Sequence, residues 1–92
     1  DTLYAGSTTH GRMFAPFYGI PEDPATGSAG GPLGSYLVRH GISDGRNILC
    51  EQGFEMGRPS MIQVRIDTKG GKISGITVSG NAVTVSKGLF YV

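Results

Sequence analysis

The chain has 92 residues, a net charge of +1 with both signs scattered, sixteen glycines and a single cysteine. That length allows one small domain or a piece of a larger one, with only roughly two-thirds of the unfolded surface buried. The composition holds no basic stripe or acidic tail for nucleic acid or a membrane surface, no cysteine pair for a disulfide, and no apolar run near the ~20 residues of a membrane helix. The glycines follow no repeat, which excludes collagen and linker readings and points to turns and close backbone contacts. No signal peptide is visible, so a cytoplasmic location is expected.

In chain order, Arg12-Met13-Phe14-Ala15 reads as a short strand closed by Pro16. Phe14, Phe17 and Tyr18 are expected in or beside the core, the last two near enough to the following motif to edge a cleft. A helix is expected from about residue 26 to residue 40, because positions 24–38 carry no charge and Gly41 suits the residue just past a helix end. Pro32 and the interior glycines oppose helix formation, at roughly 1 kcal/mol per glycine and ~3 for proline, so packing must override them. A helix with no polar face reads as buried on all sides.

The remainder reads as β. Ile48 to Glu51 forms a strand ended by Gly53, and Met61 to Asp67 alternates with Ile62, Val64 and Ile66 on one face. Lys69-Gly70-Gly71-Lys72 is a two-residue hairpin signal, and Ile73 to Val78 returns with Ile76 and Val78 inward. Gly80-Asn81 then predicts a second tight turn into Val83-Thr84-Val85, and Leu89 to Val92 a terminal strand. The sum is an α+β fold in which a meander wraps one helix. So few strands only partly surround an apolar helix, and Asp1-Thr2-Leu3-Tyr4 starts abruptly; a fragment with missing strands upstream is expected.

The stretch Glu22-Asp23-Pro24-Ala25-Thr26-Gly27-Ser28-Ala29 carries the chemistry. Pro24 keeps Asp23 out of helical geometry, and the small residues after it open a helix whose first N–H groups lack intrahelical partners. Such a helix start favours an anion, and a carboxylate beside it is placed for proton transfer. The plain alternative is that Asp23, Thr26 or Ser28 merely caps the helix. Gly27-Ser28-Ala29-Gly30-Gly31 is neither a nucleophile elbow nor a nucleotide loop. Cys50 reads as a buried inert thiol, His10 and His40 as isolated, and Arg12 as one half of a surface or cleft-edge ion pair. No metal site is expected.

That motif, with Arg12-Met13-Phe14-Ala15-Pro16, Gly19-Ile20, Gln52-Gly53, Gly57-Arg58-Pro59-Ser60 and Val78 to Val83, resembles the phenazine-biosynthesis PhzF-like family over nearly the whole chain. The resemblance implies a diaminopimelate-epimerase-like fold: a partial β-barrel of antiparallel and mixed strands around one central buried helix. It implies that residues 1–92 are the C-terminal part of the second domain of a two-domain isomerase. The implied enzyme needs no cofactor and moves a proton on a small carboxylated substrate in the cleft between its domains. Asp23 and Ser28 match catalytic positions, and Thr26, Gly27 and Ser28 substrate-binding ones. The principal base, a glutamate, and a histidine belong to the missing N-terminal domain, so Glu22, Glu51, Glu55, His10 and His40 take neither role. Besides that domain, a second copy of the chain is the other expected partner. Two further readings are a non-catalytic scaffold half-domain that self-associates, and an epimerase or racemase of the same fold; for the latter, Cys50 lies well away from the helix-start motif, so cysteine-pair chemistry is unsupported.

Overall fold

The structure, a computed structural model, describes all residues 1–92. Six strands and one α-helix form it: β1 (Thr9–Gly11), β2 (Met13–Ala15), β3 (Ile20–Asp23), α1 (Gly27–Arg39), β4 (Ile48–Gln52), β5 (Ser60–Lys69) and β6 (Lys72–Ser79). Short 3-10 turns lie at Pro16–Tyr18 and Phe54–Met56. The main sheet has the order β1–β4–β5–β6, with β1 parallel to β4 and the other pairs antiparallel; β2 and β3 form a separate ribbon. The α+β class follows.

The period-2 pattern of β5 does what its sequence predicts. Ile62, Val64 and Ile66 are buried, and with Leu37, Ile48 and Cys50 they make the core. The register pairs Ile48 with Val64 and Cys50 with Ile62, so apolar side chains of both strands share one face. At the tip of the β5–β6 hairpin Gly70 and Gly71 both have positive φ, the geometry that a two-residue turn between twisted strands demands.

The helix lies over that face through Gly30, Gly31, Gly34 and Leu37, its buried residues. A Cβ at Gly34 would stand 2.7 Å from Val64 Cγ1 and 3.2 Å from Ile66 Cδ1, and one at Gly31 would stand 3.3 Å from Ile76 Cγ2. The glycines therefore set how closely the helix approaches β5 and β6. Its end is a Schellman motif: Gly41 N–H donates to the Val38 carbonyl (3.1 Å) and Ile42 N–H to the Leu37 carbonyl (2.8 Å). Pro32 sits inside the helix and removes the donor that would meet the Ser28 carbonyl.

Several expectations need correction. The helix is covered on one face only: Ala29, Pro32, Leu33 and Tyr36 are exposed, Tyr36 by 56 %. The four strands of the main sheet form an open sheet, which only partly surrounds it, as so few strands are expected to. No strand forms at Val83-Thr84-Val85 or Leu89 to Val92, and no hairpin at Gly80-Asn81; residues 80–92 are irregular, with Phe90 96 % exposed. Strand preference needs a neighbour to pair with, and this segment has none. Phe14, Phe17 and Tyr18 lie outside the core, Phe17 by 91 %; Phe14 lies beneath Arg12, whose guanidinium carbon is 4.9 Å from the ring centroid. Ile76 and Val78 face the helix side but remain partly open, because α1 does not reach far enough across β6 to cover them. Sequence reading also missed β1 and β3, which are short and carry no apolar alternation; β3 includes Pro21.

Candidate active site

The turn from β3 into α1 is held from beneath by the end of β4 and the start of β5. Gln52 Nε2 donates to the Asp23 carbonyl (2.7 Å) and to Thr26 Oγ1 (2.9 Å), and the Thr26 hydroxyl donates to Asp23 Oδ2 (2.6 Å). Ser60 Oγ donates to the Pro24 carbonyl (2.7 Å), with the Gln52 carbonyl 3.2 Å away. Gly53 passes so close that a Cβ there would lie 2.3 Å from the Arg58 carbonyl oxygen and 2.7 Å from that of Pro24, at a φ of +81°. The backbone of the turn is thus fixed by Gln52 and Ser60, far downstream in sequence, and its carboxylate by Thr26.

No side chain caps the start of α1. Thr26 is the N-cap residue by backbone position, yet its hydroxyl turns inward to Asp23 and the side chain is buried. Gly27, Ser28 and Ala29 are exposed there, so their amides stay open to an anion. A hollow of about 610 Å³ adjoins this end of the helix, lined among others by Ala25, Gly27, Ser60 and Val78. Asp23 and Ser28 do not line it.

A charged network borders the turn. Arg12 donates to both carboxylate oxygens of Glu22 (2.8 and 3.1 Å), and its guanidinium holds that carboxyl below the usual range. His10 is not isolated as its sequence position suggests. Its Nδ1 lies 2.8 Å from Glu51 Oε1, and its Nε2 contacts Glu55, which also lies 3.9 Å from Arg12. The hydrogen bond to Glu55, then that to Glu51, raises the His10 pKa against the opposing effect of desolvation. Glu51 is wholly buried. Burial alone would raise its pKa, but donors on Leu3, Ser7, Tyr4 and His10 outweigh that and bring it to about 2. Glu51 therefore ties the N-terminal segment to β4. No three His, Cys, Asp or Glu side chains stand as a ligand set for a metal ion.

Residues 2–88 match the family described as phenazine biosynthesis-like protein. The chain belongs to that family. Among the relatives of this phenazine biosynthesis-like chain is trans-2,3-dihydro-3-hydroxyanthranilate isomerase of Pseudomonas chlororaphis, 47% identical over 85 residues, which cover 91% of this chain and 31% of the relative. The protein of that name from Pseudomonas aeruginosa is 45% identical over 91 residues, covering 96% of this chain and 33% of the relative. An uncharacterised isomerase of Clostridium acetobutylicum is 45% identical over 82 residues, covering 85% of this chain and 27% of the relative. The chain spans about a third of the length of these curated relatives.

For this family member the structure brings Asp23 and Thr26 together, and leaves Gly27 and Ser28 exposed on the first turn of the helix. Thr26 departs from the ligand-facing role that the motif suggests: its hydroxyl serves Asp23 and Gln52. Gln52 and Ser60 were given no role from the sequence. The signal was nonetheless there, since both lie in the Gln52-Gly53 and Gly57 to Ser60 segments that carry the family resemblance. Arg12 makes the surface ion pair expected of it, and Cys50 is a buried free thiol. No helix is long and apolar enough to cross a membrane.

Proposed function

We propose that this chain is the C-terminal part of the second domain of a two-domain, cofactor-independent, cytoplasmic isomerase, which moves a proton on a small carboxylated substrate in the cleft between its domains. The observation that carries this reading is the pairing of a fixed carboxylate with an uncapped helix start. Asp23 is held through one oxygen by Thr26, while the first amides of α1 are left without a side-chain cap. In this reading Asp23 hands on a proton or orients the substrate, and the amides of Gly27 and Ser28 with the Ser28 hydroxyl hold the substrate's anion. The main base comes from the N-terminal domain. Strands of the rest of the protein cover Leu33 and Tyr36 and complete an epimerase-like barrel around α1. The names of the Pseudomonas relatives make trans-2,3-dihydro-3-hydroxyanthranilate the first substrate to try.

In the full-length enzyme, Asp23→Asn lowers turnover of that compound by about two to four decades, the usual scale for acid–base groups, and the 92-residue chain alone is inactive. Near-normal turnover by the variant overturns the role given to Asp23.

A second reading has its own support. β6 is an edge strand, and residues 83–92 expose five large apolar side chains beyond Val83. A scaffold half-domain that pairs with its own copy would use such an edge. Sedimentation separates the two: a tight dimer of the chain with no affinity for aromatic or amino carboxylates favours the scaffold. An epimerase of this fold using a cysteine pair gains no support from Cys50, which is buried in the core on β4 and not at the start of α1.

A further inference from the structure

The geometry points to Gln52 as the positioning residue for Asp23, acting through the Thr26 hydroxyl, with Asp23 Oδ1 as the oxygen left to meet the substrate. This rests on the reading of Asp23 as part of the proton-transfer site. The Asp23 carbonyl can only accept, so the atom of Gln52 that lies 2.7 Å from it must be the amide nitrogen, which fixes the orientation of that side chain. The amide has two hydrogens, and the second is directed to Thr26 Oγ1 at 2.9 Å. Thr26 has one hydrogen, and Asp23 Oδ2 lies 2.6 Å away to accept it. The donors therefore run one way, from Gln52 to Thr26 to Asp23.

Gln52 and Thr26 are both buried, where successive hydrogen bonds polarise one another and competing water is scarce. Thr26 forgoes the capping bond that its position offers, so its hydroxyl is committed to the carboxylate. Asp23 Oδ2 is thereby occupied, the carboxylate plane is held, and Oδ1 has no partner within the chain. The support reaches further back. Gln52 pairs with Ser60 across β4 and β5, and Ser60 donates to the Pro24 carbonyl, so the sheet register sets where Asp23 stands.

The test uses the full-length enzyme turning over trans-2,3-dihydro-3-hydroxyanthranilate. Thr26→Val, an isosteric change, and Gln52→Leu each lower kcat by roughly 10- to 100-fold, the value of one hydrogen bond to a charged group expressed as a rate, with KM within about twofold. Thr26→Ser keeps the hydroxyl and recovers most of the rate. In an Asp23→Asn background, Thr26→Val costs less than about twofold more, because the group it acts through has gone. Unchanged kcat in Thr26→Val alongside a large loss in Asp23→Asn overturns the relay and leaves the role of Asp23 standing. So does a Thr26→Val loss that multiplies in full onto that of Asp23→Asn. Full turnover by Asp23→Asn instead overturns the reading of Asp23 on which the relay depends. Thr26→Val carries the test alone if Gln52→Leu does not fold.

Discussion

The turn at residues 22–28 and the tail at residues 80–92 are opposites. The turn is mostly polar or small, with one proline and one glycine, and poor in intrinsic structure, yet Gln52, Gly53 and Ser60 hold it by hydrogen bonds and close packing. The tail has the apolar, β-branched composition of a strand and forms none. What separates them is the presence of partners. Residues that complete one another's hydrogen bonds within the chain determine a local shape, whereas strand preference waits for a neighbouring edge.

The strongest way to break the ordered half of this contrast is Gly53→Ala. The added methyl meets two carbonyl oxygens in a backbone conformation that alanine resists, so about 3 kcal/mol or more of stability is expected to be lost. Denaturant unfolding of the chain measures it, and hydrogen exchange should show the loss centred on residues 23–28. Gly34→Ala is the next largest. Its Cβ would press Val64 and Ile66 from 2.7 and 3.2 Å, and overpacking of about 1–3 kcal/mol outweighs the ~1 kcal/mol that alanine gains in a helix. A rise in Tm for Gly34→Ala would show that α1 is free to lift from the sheet.

The same contrast explains what the sequence made legible. The α1 boundaries, the alternation of β5 and the Gly70-Gly71 turn are set by local patterns, and each is found where those patterns predict. The motif's importance was visible through resemblance, but the use of Thr26 was not: capping and supporting a neighbour need the same residue, and only the position of Gln52 decides between them. His10 was misread because its partners Glu51 and Glu55 are more than forty residues away in sequence. The completeness of the helix's burial was overread, since an apolar run records what a helix can bury against without recording whether these residues supply it.

The His10 network gives a smaller effect with a defined sign. Its pKa is raised from an ordinary 6.5, so its contribution to stability is complete below pH 6.5 and is lost as pH rises through the raised value. Glu51 and Glu55 are lowered from 4.5, so theirs is complete above pH 4.5 and is lost as pH falls, for Glu51 toward about 2. Stability from this network is therefore greatest between pH 4.5 and 6.5. His10→Gln should remove the decline on the alkaline side in unfolding curves taken at several pH values. An undiminished alkaline decline would place its origin elsewhere.

The smallest effect belongs to the tail, and it sharpens the contrast most. Val83, Val85, Leu89 and Phe90 are nearly fully exposed, so removing residues 82–92 should change the stability of the 92-residue chain by less than about 0.5 kcal/mol. In the full-length protein the expectation reverses. If strands from the rest of the protein pair with this segment, Val85→Asp buries an unpaired charge there and destabilises by about 3 kcal/mol or more, while the same substitution in the short chain does nothing measurable. Indifference to Val85→Asp in both settings would remove the idea that the tail waits for a partner. Its composition would then need an explanation other than a missing edge.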